Sequence, residues 1–223
     1  PAGMATEFEL TPRGASVPAG SGTVRLRVQV PGKHNALNAA AAYAIAAELG
    51  FAADDIAAGL AGYQGAQRRM ELKGEADSVR VLDSYAHHPT EIAADLTAAR
   101  DIAAGGRVIV VFQPHLYSRT RIFAAEFGAA LGQADEIFVL DVYAAREDPE
   151  PGVTGALIAD AVPAGRAAFW PDRTRLPAAI ADLAKPGDVV LTMGAGDVTR
   201  LGPQIVAALH ARADDIAGEN GAG

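Results

Sequence analysis

Apolar and polar positions along the chain fall into two alternating kinds of repeat. Over residues 23–30, Val24, Leu26, Val28 and Val30 alternate with Arg25, Arg27 and Gln29, the period-two pattern of a half-exposed strand. The chain then turns at Pro31 and Gly32 into a helix. Leu37, Ala41, Ile45 and Leu49 share one expected face of it, Gly50 ends it, and a second short helix is expected over 53–60. From Met70 onward the two periods take turns. Strands are predicted at 70–74, 79–83, 108–112, 136–140, 167–170 and 189–192. Helices are predicted at 89–104, 118–131, 154–161, 174–183 and 198–210. Ile92, Leu96, Ala99 and Ala103 form the buried stripe of the first of these, and Phe123, Phe127 and Leu131 that of the second. This βαβα order calls for an α/β, Rossmann-like fold with a mainly parallel sheet covered on both faces.

The pattern also divides the chain. One strand and two helices bury too little to stand alone, so 1–66 reads as the end of a larger domain. Residues 67–212 form the doubly wound domain, and the polar, glycine-rich 213–223 reads as a disordered tail. The chain opens at Pro1 without a methionine, which suggests a cut end. Two glycines in 62–69, GYQGAQRR, suit a hinge between the two parts. The following Arg68 and Arg69 suit either a solvated surface or a phosphate.

Composition narrows the classes. With 223 residues, half of them apolar, a packed core is expected. A net charge of −8 leaves no basic footprint for nucleic acid. Without cysteine there is neither a disulfide framework nor a zinc–thiolate site. No apolar run reaches the roughly 18 residues of a membrane span, and no secretory signal opens the chain, so a cytoplasmic protein is expected.

The chemistry concentrates in LDSYAHHPTE, residues 82–91. A strand runs into a turn carrying Asp83, Ser84, Tyr85, His87 and His88, and Pro89 opens the next helix. Further polar clusters follow other strands: Gln113 to Arg119, Asp141 to Glu147, and Gly194 to Asp197. Open parallel sheets bind ligands along the carboxyl edge, so these four segments are expected to line one crevice. Gly194 and Gly196 do not complete a dinucleotide fingerprint, since no glycine stands three residues further on, and no phosphate loop of the G-x-x-x-x-G-K type occurs. Asp83, His87, His88 and His115 have metal-binding chemistry, although adjacent histidines suit one ion poorly. At the head of the first predicted helix, His34, Asn35 and Asn38 could face an anion or a polar ring; Asn35 could equally cap the helix.

Six stretches resemble the Mur ligases in family order: GKHNALNAAAA (32–42), GAQRRMELKGE (65–75), DSYAHHPTEI (83–92), VFQPHLYSRT (111–120), ADEIFVLDVYAARE (134–147) and GDVVLTMGAGDV (187–198). The resemblance covers nearly all of the chain after about Val24. It implies the end of a P-loop-type central domain followed by the closing C-terminal domain of an ATP-dependent ligase of peptidoglycan precursor synthesis. The HHPTE and QPHxYSRT stretches are similar to members that join L-alanine to UDP-N-acetylmuramate through an acyl phosphate, with ATP and Mg2+. By that resemblance His34, Asn35 and Asn38 lie near the adenosine, Arg69 reaches the phosphates, and Asp83 faces the ribose. Arg69, Asp83 and His87 would be the catalytic set. Tyr85, His87 and Arg119 would hold the alanine, with His88 and His115 beside them. L-alanine, UDP-N-acetylmuramate and ATP are the implied partners; nucleic acid, membrane and an obligate protein partner are not. Ser84 stands where the family usually has a second aspartate, and Leu116 where some members have arginine. Without the lysine-bearing phosphate loop, the magnesium ligands and the UDP-binding domain, this chain alone is expected to be inactive. The rival readings are a non-catalytic amino-acid-binding module and a metal-dependent hydrolase built on His87, His88 and His115.

Overall fold

A computed structural model describes residues 5–11, 22–30 and 32–221, with side chains as far as residue 215. The expected turn residue Pro31 lies outside the described residues. The chain divides into two compact units between Ala66 and Gln67.

In the first unit, β1 (Thr6–Leu10) pairs antiparallel with β2 (Val24–Val28). The sequence reading had no β1, although Phe8 and Leu10 alternate with Glu7 and Glu9. The register sets Glu7 opposite Arg27 and Glu9 opposite Arg25, so opposite charges face each other on the solvent side. Helices α1 (Lys33–Glu48) and α2 (Ala53–Ala61) follow. Leu26, Tyr43 and Ile56 form a core with Phe8, Leu10 and Leu60 around it, and Ala39 packs with Val28 and Val30. The expected face of α1 is therefore wrong. Ala39 and Tyr43 are buried, whereas Leu37, Ile45 and Leu49 are all more than 60% exposed. In a helix this rich in alanine nearly every face is apolar, and the large Tyr43 decides which one turns inward.

The second unit is a six-stranded sheet in the order β3-β4-β8-β5-β6-β7. β3 (Glu71–Ala76) and β4 (Val79–Ser84) form a hairpin, closed by Asp77 and Ser78 with φ of 50° and 57°, the left-handed pair that a two-residue hairpin turn needs. All other pairings are parallel, among β4, β5 (Val108–Phe112), β6 (Glu136–Val139), β7 (Ala167–Phe169) and β8 (Val189–Met193). The crossovers run through α3 (Pro89–Ala103), α4 (Tyr117–Leu131), α5 (Ala156–Ala161) and α6 (Leu176–Leu183). β8 enters between β4 and β5 and leads through a 3-10 turn, Asp197–Arg200, into α7 (Leu201–Gly221). On one face Val79, Val81, Ile109, Val111 and Val190 pack against Leu176 and Ile180 of α6 and Ile205 and Leu209 of α7. Alternation sends Leu82, Val110, Phe112 and Leu191 to the other face, where Phe112 lies 5.3 Å from Phe127 of α4. The apolar stripe of α3 is buried throughout.

Helix α7 runs on to Gly221, so 213–221 is helical where a disordered tail was expected over 213–223; 222–223 lie outside the described residues. Arg212 anchors that stretch: its guanidinium donates to the carbonyls of Ala181 and Ala184 and to Asp77, the last two at 2.6 Å. Residues 213–221 continue the helix beyond it.

Candidate functional site

Four strands of the second unit deliver polar segments to one edge of the sheet, the carboxyl edge, where β8 sits between β4 and β5. This is the strand-order reversal at which open α/β sheets bind ligands. The segments after β5 and β6 stay together beyond the strands. His115 and Tyr143 form an isolated parallel bridge, with Tyr143 N–H donating to Pro114 O at 2.8 Å and Leu116 N–H to Tyr143 O at 3.0 Å.

Aromatic rings line the crevice. The Tyr85 and His87 rings meet edge to face at 5.2 Å, His87 and His115 at 6.2 Å, and His115 stacks on Tyr143 at 5.7 Å and 17°. Tyr85 and Tyr143 are each more than a third exposed. The His87 ring Nδ1 lies 3.0 Å from Tyr85 O, and its backbone N–H donates to Glu91 at 3.0 Å. Arg119, half-buried at the start of α4, donates to His87 O at 3.4 Å. Among the described residues no carboxylate pairs with this guanidinium. Burial lowers the pKa of His115, and the charge of Arg119 and the neighbouring His87 lower it further. The buried His115 Nδ1 has no hydrogen-bond partner among the described residues.

His88 stands apart from this cluster. It is the N-cap of α3, its Nδ1 accepting from Thr90 N–H at 3.4 Å, and its ring lies 5.4 Å from Phe123. The structure thus brings Tyr85, His87, His115 and Arg119 together and gives His88 a capping role. Among the described residues no group of three or more histidines and carboxylates could hold a metal ion.

Asp83 is not where a ribose could reach it. It is fully buried; one oxygen accepts from Thr192 Oγ at 2.7 Å and the other from Arg68 Nε at 3.0 Å. A strand-end carboxylate on a central strand points into the packed edge here rather than into the crevice, so its expected place at the nucleotide is corrected to an internal ion pair. Ser84 is likewise buried: its hydroxyl donates to Asp95 and accepts from Ala86 N–H at 3.0 Å. At this position the serine thus engages a carboxylate supplied by α3.

The arginine pair splits by role. Arg68 is mostly buried; Arg69 is 51% exposed and, among the described residues, pairs only with Glu91 at 3.9 Å. Arg69 therefore keeps the freedom a phosphate contact needs. The sequence reading missed Arg68, because nothing in an Arg-Arg pair says which side chain turns inward. It also missed Arg173, which donates to Asp197 at 2.7 Å while Gln113 donates to the same oxygen at 3.0 Å. Burial would raise the pKa of Asp197, but these two partners outweigh it and hold it low.

In the first unit, α1 begins after Gly32 (φ 101°), which takes the N-cap position in place of Asn35; Asn35 sits in the first turn. The His34 ring folds back over Gly32, where an added Cβ would lie 2.8 Å from it, and Asn38 is exposed.

Comparison with known proteins gives consistent results. Residues 68–196 match the family described as Mur ligase, glutamate ligase domain. A UDP-N-acetylmuramate–L-alanine ligase of Kineococcus radiotolerans is 63% identical over 191 residues, covering 84% of this chain and 40% of the relative. One from Thermobifida fusca is 55% identical, covering 93% of this chain and 44% of the relative. The crystal structure of a UDP-N-acetylmuramate–alanine ligase from Thermotoga maritima superposes with a TM-score of 0.69 at 27% identity, over 85% of this chain and 40% of that one. The chain thus spans about two fifths of the length of the relatives it matches.

Proposed function

This chain belongs to the Mur ligase family, and from that membership we propose that it is the amino-acid-binding C-terminal part of an ATP-dependent ligase joining L-alanine to UDP-N-acetylmuramate. The observation that carries the reading is Arg119. A half-buried guanidinium with no carboxylate partner among the described residues, beside His87 and His115, suits the carboxylate of a small amino acid. The rings of Tyr85, His87, His115 and Tyr143 stand beside it as the apolar surroundings for a small side chain. With its pKa lowered, His115 stays neutral near pH 7, so it adds no competing cation beside the amine of the bound amino acid.

ATP activates the muramoyl carboxylate for attack by that amine. Within this chain, the half-exposed Arg69 is the candidate for the phosphate oxygens. The described residues contain no magnesium-binding cluster, so ATP and Mg2+ are assigned chiefly to the remainder of such a ligase. His34, Asn35 and Asn38, in the first turns of α1, are retained as candidates for the adenosine side. Asp83 is not, because it is buried. The product would be a peptidoglycan precursor, and the work would be cytoplasmic. No helix of the described residues is long and apolar enough to cross a membrane.

The test is phosphate release by the complete ligase with ATP and UDP-N-acetylmuramate, across the common amino acids, with this chain assayed beside it. Release that needs L-alanine, and silence from the chain alone, is the expected result. Release indifferent to the amino acid would refute the reading.

A further inference from the structure

We propose, on the amino-acid-binding reading above, that Arg68 is the positioning residue of the crevice: it sets the separation of the His87 and His115 rings, and with it the size of amino acid accepted. Arg68 touches neither imidazole. Its backbone has φ of 60°, a left-handed conformation uncommon for arginine. Two hydrogen bonds hold it there: Arg68 N–H to Glu71 at 2.8 Å and Tyr85 N–H to Arg68 O at 2.6 Å. From this fixed base the guanidinium forks. Nε meets Asp83 at 3.0 Å, Nη2 meets Gly194 O at 2.5 Å, and Nη1 meets Gly196 O at 3.0 Å.

Two mechanical routes lead from that fork to the two histidines. In the first, the guanidinium lies 5.1 Å over the Tyr85 ring, and Tyr85 meets His87 at 5.2 Å. In the second, Gly196 is pressed against Tyr143; a Cβ added there would fall 2.7 Å from Tyr143 Cγ, and would also strike the Gln113 amide oxygen. Tyr143 in turn stacks on His115. The routes converge on the edge-to-face pair of His87 and His115, whose ring centroids lie 6.2 Å apart. One planar, five-donor side chain thus fixes both walls. A lysine would keep a charge opposite Asp83 but could not reproduce the fork to both carbonyls.

The test uses the full chain, labelled with nitrogen-15, with imidazole spectra recorded for wild type, Arg68→Lys and Arg68→Met. The chain has five histidines. His87 and His115 are assigned by their glutamine variants; His34, on α1, and His210, on α7, serve as internal references. Arg68→Lys is expected to shift both His87 and His115 and leave His34 and His210 in place, with Arg68→Met shifting them further where it folds. A lowered melting temperature in Arg68→Lys with His87 and His115 unmoved would show a structural role only, and would overturn the proposal. In the complete ligase, the preference in kcat/KM for L-alanine over L-valine is expected to narrow about tenfold in Arg68→Lys. An unchanged preference would overturn the specificity role. A wild-type ligase indifferent to alanine would refute the amino-acid reading itself, while the imidazole shifts test the positioning independently of any substrate.

Discussion

Arg68 and Asp83 form an ion pair at 3.0 Å in which the carboxylate has no contact with solvent. Such a pair stabilises little over an apolar equivalent, but losing one partner leaves a buried charge uncompensated. Arg68→Ala is expected to lower unfolding stability by about 3 kcal/mol, at the lower end for a buried pair because the arginine is partly wet. Asp83→Asn keeps a bond to Thr192 and removes the charge, so its cost is expected at about 1–2 kcal/mol. Urea denaturation of the two variants checks the order, and a larger loss in Asp83→Asn would contradict it.

Acid sensitivity should show at Asp188. Burial would raise its pKa, but hydrogen bonds from the Arg107 side chain and from the backbone N–H groups of Lys185 and Arg107 outweigh burial and hold it low. A carboxyl with a depressed folded pKa stabilises the fold above its unfolded value, about 3.9, and that contribution disappears as pH falls through the folded value. Asp188→Asn is expected to be less stable than wild type at pH 7, with the gap closing below about pH 4. Denaturation midpoints across pH 2.5–7, on the order of one unit apart, would show it; a gap constant with pH would contradict it.

His115 is expected to titrate below the ordinary histidine value of about 6.5. Its neutral form therefore stabilises the fold above that value, and the contribution is lost as pH falls toward the lowered folded pKa. Arg119→Gln removes the cation that, after burial, lowers the His115 pKa most, so the His115 midpoint should rise in that variant. Imidazole titration by NMR measures it, and an unmoved midpoint would place Arg119 too far away to matter.

Much of this was legible in the sequence because two periods alternate cleanly after Met70. Short apolar runs such as VIVVF, bounded by polar turns, read as buried strands, and each polar cluster follows one of them, which points to a crevice at the carboxyl edge. Where residue type underdetermines direction, the reading failed. The alanine-rich α1 offers several equivalent faces, and the one containing Leu37, Ile45 and Leu49 is exposed. The five residues of β1 were obscured by their Gly/Pro/Ala-rich surroundings, although their glutamates match Arg25 and Arg27 in charge. The resemblance puts Asp83 at the ribose; the inward turn of Arg68, on a left-handed backbone, makes it an internal partner instead. His88 and His87 are adjacent and chemically identical, and the start of α3 takes one as its cap while the crevice takes the other.

The amino-acid role of Arg119 is tested most directly by steady-state kinetics of Arg119→Gln in the complete ligase, with each substrate varied in turn. The expected result is a KM for L-alanine raised on the order of 100-fold, as for truncating one side of a desolvated charge pair, with the KM values for ATP and UDP-N-acetylmuramate nearly unchanged. An alanine KM equal to that of the wild type would contradict the account.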